Sequence, residues 1–410
     1  MINVNKNLTI FILGVISGIP LAIILVSVVA WLQEAKVDIA IITSFTLSRI
    51  PYSLKFFWAH IINYYKIPLL CYVGQRKSWM LLSMLIIGML IYIMGTLDPK
   101  NSLLEIYLIN LLLGITSATF DIVYDTYRIE FAEQHSSQIL SSTHSVFGHK
   151  FGMIITCAGS MYLADIYDWS SSFTIFSILY TSCTIYVFSI RENNIYNRYY
   201  FSKTISIKNI FAPFKEFFIR KNSWLTLLSV FFFKLGESML YVILTPFYLT
   251  IGFNKSQIAS ITHLYGFVAT ILGIYFTSYM IKKLQYFNTL IISGIIQSVA
   301  HIMYIWLNHI GNNLLALVIT VTIENFASAM GATSFVAYLS NLCNKKYSTV
   351  QYALFSSTSS ILNGTVVMYS GVLLKYIGWD YYFLFTMILA FPSILLLAIS
   401  QNKSMNHSSS

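Results

Sequence analysis

The sequence predicts an all-α integral membrane protein of about twelve transmembrane helices, arranged as two pseudo-symmetric six-helix bundles. Three observations predict it. The 410 residues are 57% hydrophobic and 10% charged, against about 25% charged in an ordinary soluble protein, and the mean hydropathy is +0.69. Apolar runs of spanning length recur along the whole chain. Two local motifs also repeat at an offset close to half its length. A soluble chain this apolar could not cover its surface, and the many long apolar stretches select helices over a barrel.

The runs fall at 8–32, 37–63, 79–97, 103–126, 142–164, 171–190, 223–250, 256–281, 287–307, 312–339, 351–374 and 380–400. Lys6 precedes the first, which runs from Leu8 to Leu32 and is too long for the h-region of a cleaved signal peptide. The net charge of +10 is not a nucleic-acid signature, because the basic residues collect in alternate loops. Lys66, Arg76 and Lys77, then Arg128, the stretch from Arg191 to Lys221, Lys282 and Lys283, and Lys345 and Lys346 fall on the side of Lys6. The opposite side carries Lys36, Lys100, Lys255 and Lys375. By the positive-inside rule both termini are cytoplasmic. Cys71, Cys157, Cys183 and Cys343 are scattered, without a CxxC, and read as packing residues; no metal or cofactor is expected.

One connection differs from the others. From Arg191 to Asn222 the chain reads RENNIYNRYYFSKTISIKNIFAPFKEFFIRKN, polar and basic. It divides the chain into a half at 1–191, a cytoplasmic linker at 192–222, a second half at 223–401 and a polar tail at 402–410. Its end, FAPFKEFF, reads as an amphipathic segment on the anionic inner leaflet or as plain basic linker.

The halves echo each other. DWSSSF and GWDYYF each begin the sixth span of a half, with Trp169 and Trp379 210 positions apart. AWLQEAKVDIAII and PFYLTIGFNKSQI each join a first span to a second, with Val37 and Phe253 216 apart. Near-equal offsets in the same order mean a parallel repeat, the arrangement of major facilitator transporters.

The stretches SGIPLAIILVSVVAWL, PYSLKFFWA, GQRKSW, SATFDIVYDTYR, FFKLGESM, IENFASAMGATSFVAYLSNLCNK and QYALFSS follow one another from Ser17 to Ser357. In this order they resemble the AmpG family of muropeptide permeases, within the major facilitator superfamily, over nearly the whole chain. The resemblance implies a monomeric, proton-driven symporter of the bacterial inner membrane. Such a permease imports anhydro-muropeptides, sugar–peptides released from the cell wall, for recycling. Two positions depart from the family pattern. The loop after the second span, usually acidic, has His60 and Asn63 in that neighbourhood, beside basics reduced to GQRKS. The eighth span carries His263 where the family can carry a lysine.

Eight charges fall inside the spans: Arg49, Lys55, Asp121, Asp125, Lys150, Lys234, Glu237 and Glu324. A charge at the bilayer centre costs roughly 2.5–3.5 kcal/mol even on the milder insertion scale, so these residues should face a wet cavity or pair. The acids sit on the fourth, seventh and tenth spans, which with the first line the cavity in the superfamily. Glu324, with no basic neighbour on its own helix, is the leading proton-coupling candidate, the rival reading being a clamp on Lys234 or Arg49. Glu237 lies one turn from Lys234. Asp121 and Asp125, one turn apart, could close a gate with Arg76, Lys77 or Lys150, carry a proton, or pair structurally. Arg128 could anchor that end to a phosphate or a carboxylate.

Lys55, Lys150, Lys234 and Arg49 are candidate ligands for the carboxylates of an anionic sugar–peptide, with Tyr52 and Asn325 as further lining residues. Trp58, Tyr124 and Tyr265 are further aromatics on which a sugar ring could stack. Gly18 and Pro20 read as sites of close helix approach or a bend. His149 and His263 are the histidines to test.

Three rivals remain at this stage. A carrier of another organic anion, such as an acyl-CoA, would call for more cavity arginine than Arg49. A transport-inactive sensor would keep the fold. A membrane acyltransferase would need a paired His–acid motif, which the sequence lacks, so the chain is not read as an enzyme.

Overall fold

The computed structural model describes residues 6–65, 67, 73–132, 135–190, 207–220 and 222–405, and among these every regular element is helical. Lys66, Cys71, Arg191, most of the linker, Lys221 and the end of the tail lie outside the described residues, as does the His263 side chain. The first six helices are α1 (Lys6–Glu34), α2 (39–64), α3 (Gln75–Gly95), α4 (Leu103–Phe131), α5 (His135–Ile166) and α6 (Trp169–Ser189). After the amphipathic helix Ile207–Ile219 come α7 (Ser223–Ile251), α8 (255–284), α9 (286–310), α10 (Leu314–Leu342), α11 (348–377) and α12 (379–405).

Among the described residues, eight continuous helical stretches are long and apolar enough to cross a membrane. One of them, Ser260–Ile310, is 51 residues long, about 75 Å as a single helix against a hydrocarbon core of about 30 Å. Gln285, with φ 64° and ψ 170°, breaks it into α8 and α9. Gly378, at φ 74°, separates α11 from α12 in the same way. The predicted second span is not one regular helix. It is made of short α-helical pieces joined through a 3₁₀ turn at Phe45–Arg49, with Pro51 where the helix restarts. Asp168 caps α6, its carboxylate accepting the Ser171 backbone N–H, which holds it below the usual carboxylate range.

The chain forms two compact units. One is Met1–Phe211 with Cys343–Leu354; the other is Ala212–Leu342 with Phe355–Ser410. The segment Cys343–Leu354, which the sequence places in the second half, thus groups with the first unit.

In the first unit α1 packs on α5 at backbone distance. A Cβ built on Gly18 would stand 2.3 Å from the His149 carbonyl oxygen, and Cβ atoms on Gly148 and Gly152 would stand 2.2 Å from those of Phe11 and Val15. Gly14 and Gly18 on one helix and Gly148 and Gly152 on the other are spaced four apart, the small-xxx-small pattern that lets apolar helices associate without a hydrophobic driving force.

Each unit also holds an aromatic cluster of the same design. Phe173 packs on Trp31 and Trp169 at ring-centroid distances of 5.2 and 5.9 Å. Phe383 packs on Phe247 and Trp379 at 4.8 and 6.0 Å. Phe247 lies 216 residues after Trp31, while Phe383 and Trp379 each lie 210 after Phe173 and Trp169. Left-handed corners recur likewise, at Lys36 (φ 60°) and, 216 residues on, at Gly252 (φ 103°).

The linker's last part is helical. Phe217 is buried against Phe355, ring centroids 4.9 Å apart, and Arg220 donates to the Leu342 carbonyl at 2.6 Å. Both contacts lie in the second unit.

Candidate functional site

The close packing of α1 on α5 sets the first cluster of polar side chains. Ser17, buried one residue before Gly18, donates its hydroxyl to Asp121 Oδ1 at 2.7 Å, and His149 Nδ1 lies 3.0 Å from the Ser17 Oγ. Lys55, 5% exposed on α2, faces both Asp121 and His149 electrostatically, with no ion pair among the described residues. Tyr52 donates to Ser117 Oγ at 2.7 Å and Trp58 Nε1 to Thr119 Oγ1 at 3.0 Å, both along α4. Tyr124 donates to Ser145 at 2.8 Å. Lys150 is half-buried beside His149, whereas Arg49 is exposed.

One turn on from Asp121, Asp125 takes Arg128 at 3.2 Å. In this arrangement the ion pair of Asp125 is thus with Arg128 on its own helix, rather than with the Arg76, Lys77 or Lys150 expected from sequence. The physical reason is reach: at i, i+3 on its own helix, Arg128 spans to Asp125 without any backbone adjustment. Arg128 is wholly buried, donates to Ser142 at 3.1 Å and stacks over the Tyr352 ring at 5.3 Å.

Arg76 goes instead to Glu130, with Nη2 at 2.8 Å from Oε1 and Nε at 3.3 Å from Oε2, and also donates to Asn63 Oδ1 at 3.1 Å. Asn63 Oδ1 accepts Thr349 at 3.0 Å too, and Ser348 reaches Glu130 at 3.4 Å. Lys345 donates to the Ala132 carbonyl at 3.3 Å. Lys77 donates to the Phe188 carbonyl at 2.8 Å. Hydrogen bonds to the ends of α4 and α2 therefore hold the segment Cys343–Leu354 within the first unit, and the Arg76–Glu130 ion pair braces the α4 carboxylate that takes part.

In the second unit Lys234 interrupts α7, lying between the helical pieces Ser223–Phe233 and Leu235–Ile251. Its Nζ donates to Glu237 Oε2 at 2.6 Å, while Ser328 of α10 donates to Glu237 Oε1 at 2.6 Å. Glu324 lies one turn before Ser328 and is 1% exposed. Neither of its carboxyl oxygens has a hydrogen-bond partner among the described residues. The phenols of Tyr241, Tyr248 and Tyr304 lie within electrostatic range of it. Asn325 turns the other way, bonding the Val321 carbonyl at 2.9 Å and Thr270 at 3.4 Å.

The structure therefore draws Asp121, Lys55 and His149 together, and Lys234 with Glu237. Among the described residues it gives Glu324 no cation, and it turns Asn325 toward its own helix and α8. Sequence reasoning missed Ser17, Ser328, Glu130 and Tyr352. The paired four-residue glycine spacings could have indicated the α1–α5 contact that positions Ser17. For Ser328 no local signal exists, because its partner is 91 residues away.

A helical chain of paired halves, carrying buried carboxylates and lysines inside membrane-spanning helices, is the architecture of a secondary transporter. The Major Facilitator Superfamily profile matches residues 10–367. The "Putative transporter AmpG 4" of Rickettsia conorii is 44% identical over 398 residues, 96% of each chain. The anhydromuropeptide permease of Escherichia coli K12 is 29% identical, over 96% of this chain and 79% of that one. The crystal structure of the major facilitator transporter FucP superposes with a TM-score of 0.69 at 11% identity, covering 96% of this chain and 97% of the other. The chain belongs to the major facilitator superfamily and, within it, to the AmpG family of transporters. It is a multi-pass membrane transport protein and not an enzyme.

Proposed function

We propose that this protein is a proton-coupled permease that imports anhydro-muropeptides across a bacterial inner membrane, with both termini cytoplasmic. The observation that carries the substrate is its similarity, over 96% of the chain, to a relative named as an anhydromuropeptide permease. The retained superfamily architecture agrees with it.

Glu324 supports the coupling. An ionised carboxylate buried away from water, with no hydrogen bond among the described residues, costs several kcal/mol, so Glu324 carries its proton in this arrangement and releases it where water reaches it. Glu237, held by Lys234 and Ser328, is the second coupling candidate, and Asp121 and Asp125 are further ones in the first unit. Lys55, Lys150 and Arg49, with Tyr52, would meet the peptide and lactyl carboxylates from the first unit, and Lys234 and Asn325 from the second. Arg76, Lys77 and Arg128 belong to the gate, with Glu130 supplying the carboxylate that Asn63 lacks. The halves 1–191 and 223–401, joined by the linker 192–222, are the parts that move in a monomer.

The test is uptake of labelled anhydro-muropeptides into proteoliposomes holding the purified protein, with and without an inward proton gradient. Accumulation against the substrate gradient only when protons drive it is the expected result. Uptake of acyl-CoA but no sugar–peptide would replace the substrate. Binding without any uptake would make the protein a sensor.

A further inference from the structure

Asp121, Ser17 and His149 come from α4, α1 and α5, and meet where glycines bring α1 and α5 to backbone contact. The hydroxyl at the centre has one proton. With Asp121 ionised, Ser17 must donate to it, so His149 Nδ1 must carry a proton and donate to Ser17 Oγ. With Asp121 protonated and donating to Ser17, the hydroxyl turns and donates to Nδ1, which must then be bare. Each end therefore dictates the state of the other. From these bonds we infer that the three residues form a proton relay, in which one proton is exchanged between His149 and Asp121 through the Ser17 hydroxyl.

The transfer balances. Starting from imidazolium and carboxylate, Nδ1 releases its proton to Ser17 Oγ as the Ser17 proton passes to Asp121 Oδ1. The products are a neutral imidazole protonated at Nε2 and a carboxylic acid, with the serine unchanged. Charged groups face both ends. Asp121 is faced by Lys55 from α2 and by Asp125 from its own helix, with the phenols of Tyr52, Tyr124 and Tyr180 also in range. His149 is faced by Lys150 from its own helix and by Lys55. A cation near both ends makes the relay responsive to whatever anion arrives beside Lys55, because neutralising that cation changes the balance between imidazolium–carboxylate and imidazole–acid. The site is distinct from Glu324 and Glu237, which lie in the other unit.

The tautomer of His149 reads the relay directly, without substrate or gradient. Nitrogen NMR of histidine-labelled protein in detergent, with His149 assigned by loss of its signals in His149→Gln, separates Nδ1–H from Nε2–H. At the alkaline end of a titration, where Asp121 is ionised, the expected neutral tautomer is Nδ1–H, the minor form of free imidazole side chains. In Asp121→Asn the amide donates to Ser17, and the expected tautomer becomes Nε2–H. Ser17→Ala should abolish this dependence on residue 121, and Ser17→Thr, which keeps the hydroxyl, should restore it. A His149 that is Nε2–H in the wild type, or whose tautomer follows Asp121→Asn equally in Ser17→Ala, overturns the proposal. Loss of transport with an intact tautomer switch would instead count against the proposed permease and leave the relay standing.

Discussion

Lys234 donates to Glu237 across 2.6 Å, three residues further along α7, and so spends the second unit's intramembrane lysine on one acid, while among the described residues Glu324 has no hydrogen-bond partner. Within that unit this relationship counts against a clamp on Lys234 and supports the proton-coupling role proposed above. A clamp on Lys234 would show a shared cation, and the cation belongs to Glu237.

Glu324→Gln should therefore fold normally, with a change in stability under about 1 kcal/mol, because Gln matches the protonated acid in shape and strands no cation. Gradient-driven accumulation should fall to simple equilibration, since Gln cannot release a proton, while substrate exchange persists. Thermal unfolding, exchange and uphill uptake on the one variant check all three. A clamp would instead cost about 3–5 kcal/mol and show as a folding defect. Normal uphill transport would pass the coupling role to Glu237.

Glu237→Gln should behave in the opposite way. It removes the charge that offsets Lys234, whose side chain is 18% exposed against 9% for its partner. Breaking a buried pair costs about 3–5 kcal/mol, less here because Lys234 keeps some solvent. Lys234→Met combined with Glu237→Gln should recover part of that loss, and unfolding midpoints for the full double-mutant cycle measure the coupling.

Gly148→Ala and Gly152→Ala should each destabilise the fold by about 1–3 kcal/mol or prevent its assembly, since the new methyl meets a carbonyl oxygen at 2.2 Å and neither helix backbone can yield locally. Gly371→Ala, whose Cβ meets nothing within 4 Å, is the control and should be neutral or slightly stabilising. Midpoints of thermal unfolding in a single detergent compare them.

Arg128→Lys should cost about 2–3 kcal/mol despite keeping the charge. An ammonium cannot hold Asp125 and Ser142 at once and lie flat over Tyr352, and it is more strongly hydrated than a guanidinium in a site without solvent. Stability and protease accessibility of the segment 343–354 report it. An unchanged Arg128→Lys protein would show that the planar contacts carry no weight.

How much of this was legible in the sequence differs from feature to feature. Membrane insertion and the helical class follow from composition and run length, because lipid leaves a backbone no alternative to internal hydrogen bonds. The repeat was legible too, since Trp169 and Trp379 mark equivalent packing corners, and in each unit the structure packs a Phe on that Trp and on a second aromatic ring. Pairs within one helical turn, Asp125 with Arg128 and Glu237 with Lys234, are set by local geometry and could be enumerated in advance. Partners across the chain could not. Ser17 reaches Asp121 over 104 positions, and Ser328 reaches Glu237 over 91. Which serine lands beside which acid depends on the rotation and depth of whole helices, set by glycine contacts and packing that leave no trace at either residue. The sequence alone thus determined the solvent, the helices, the two related halves and the charged residues that must find company in the membrane. Tertiary structure alone decided which of them found it. It gave Arg76 to Glu130 and Ser328 to Glu237, and left Glu324 with no partner among the described residues, because pairing in an apolar medium is decided by distances of a few ångströms between elements far apart in the chain.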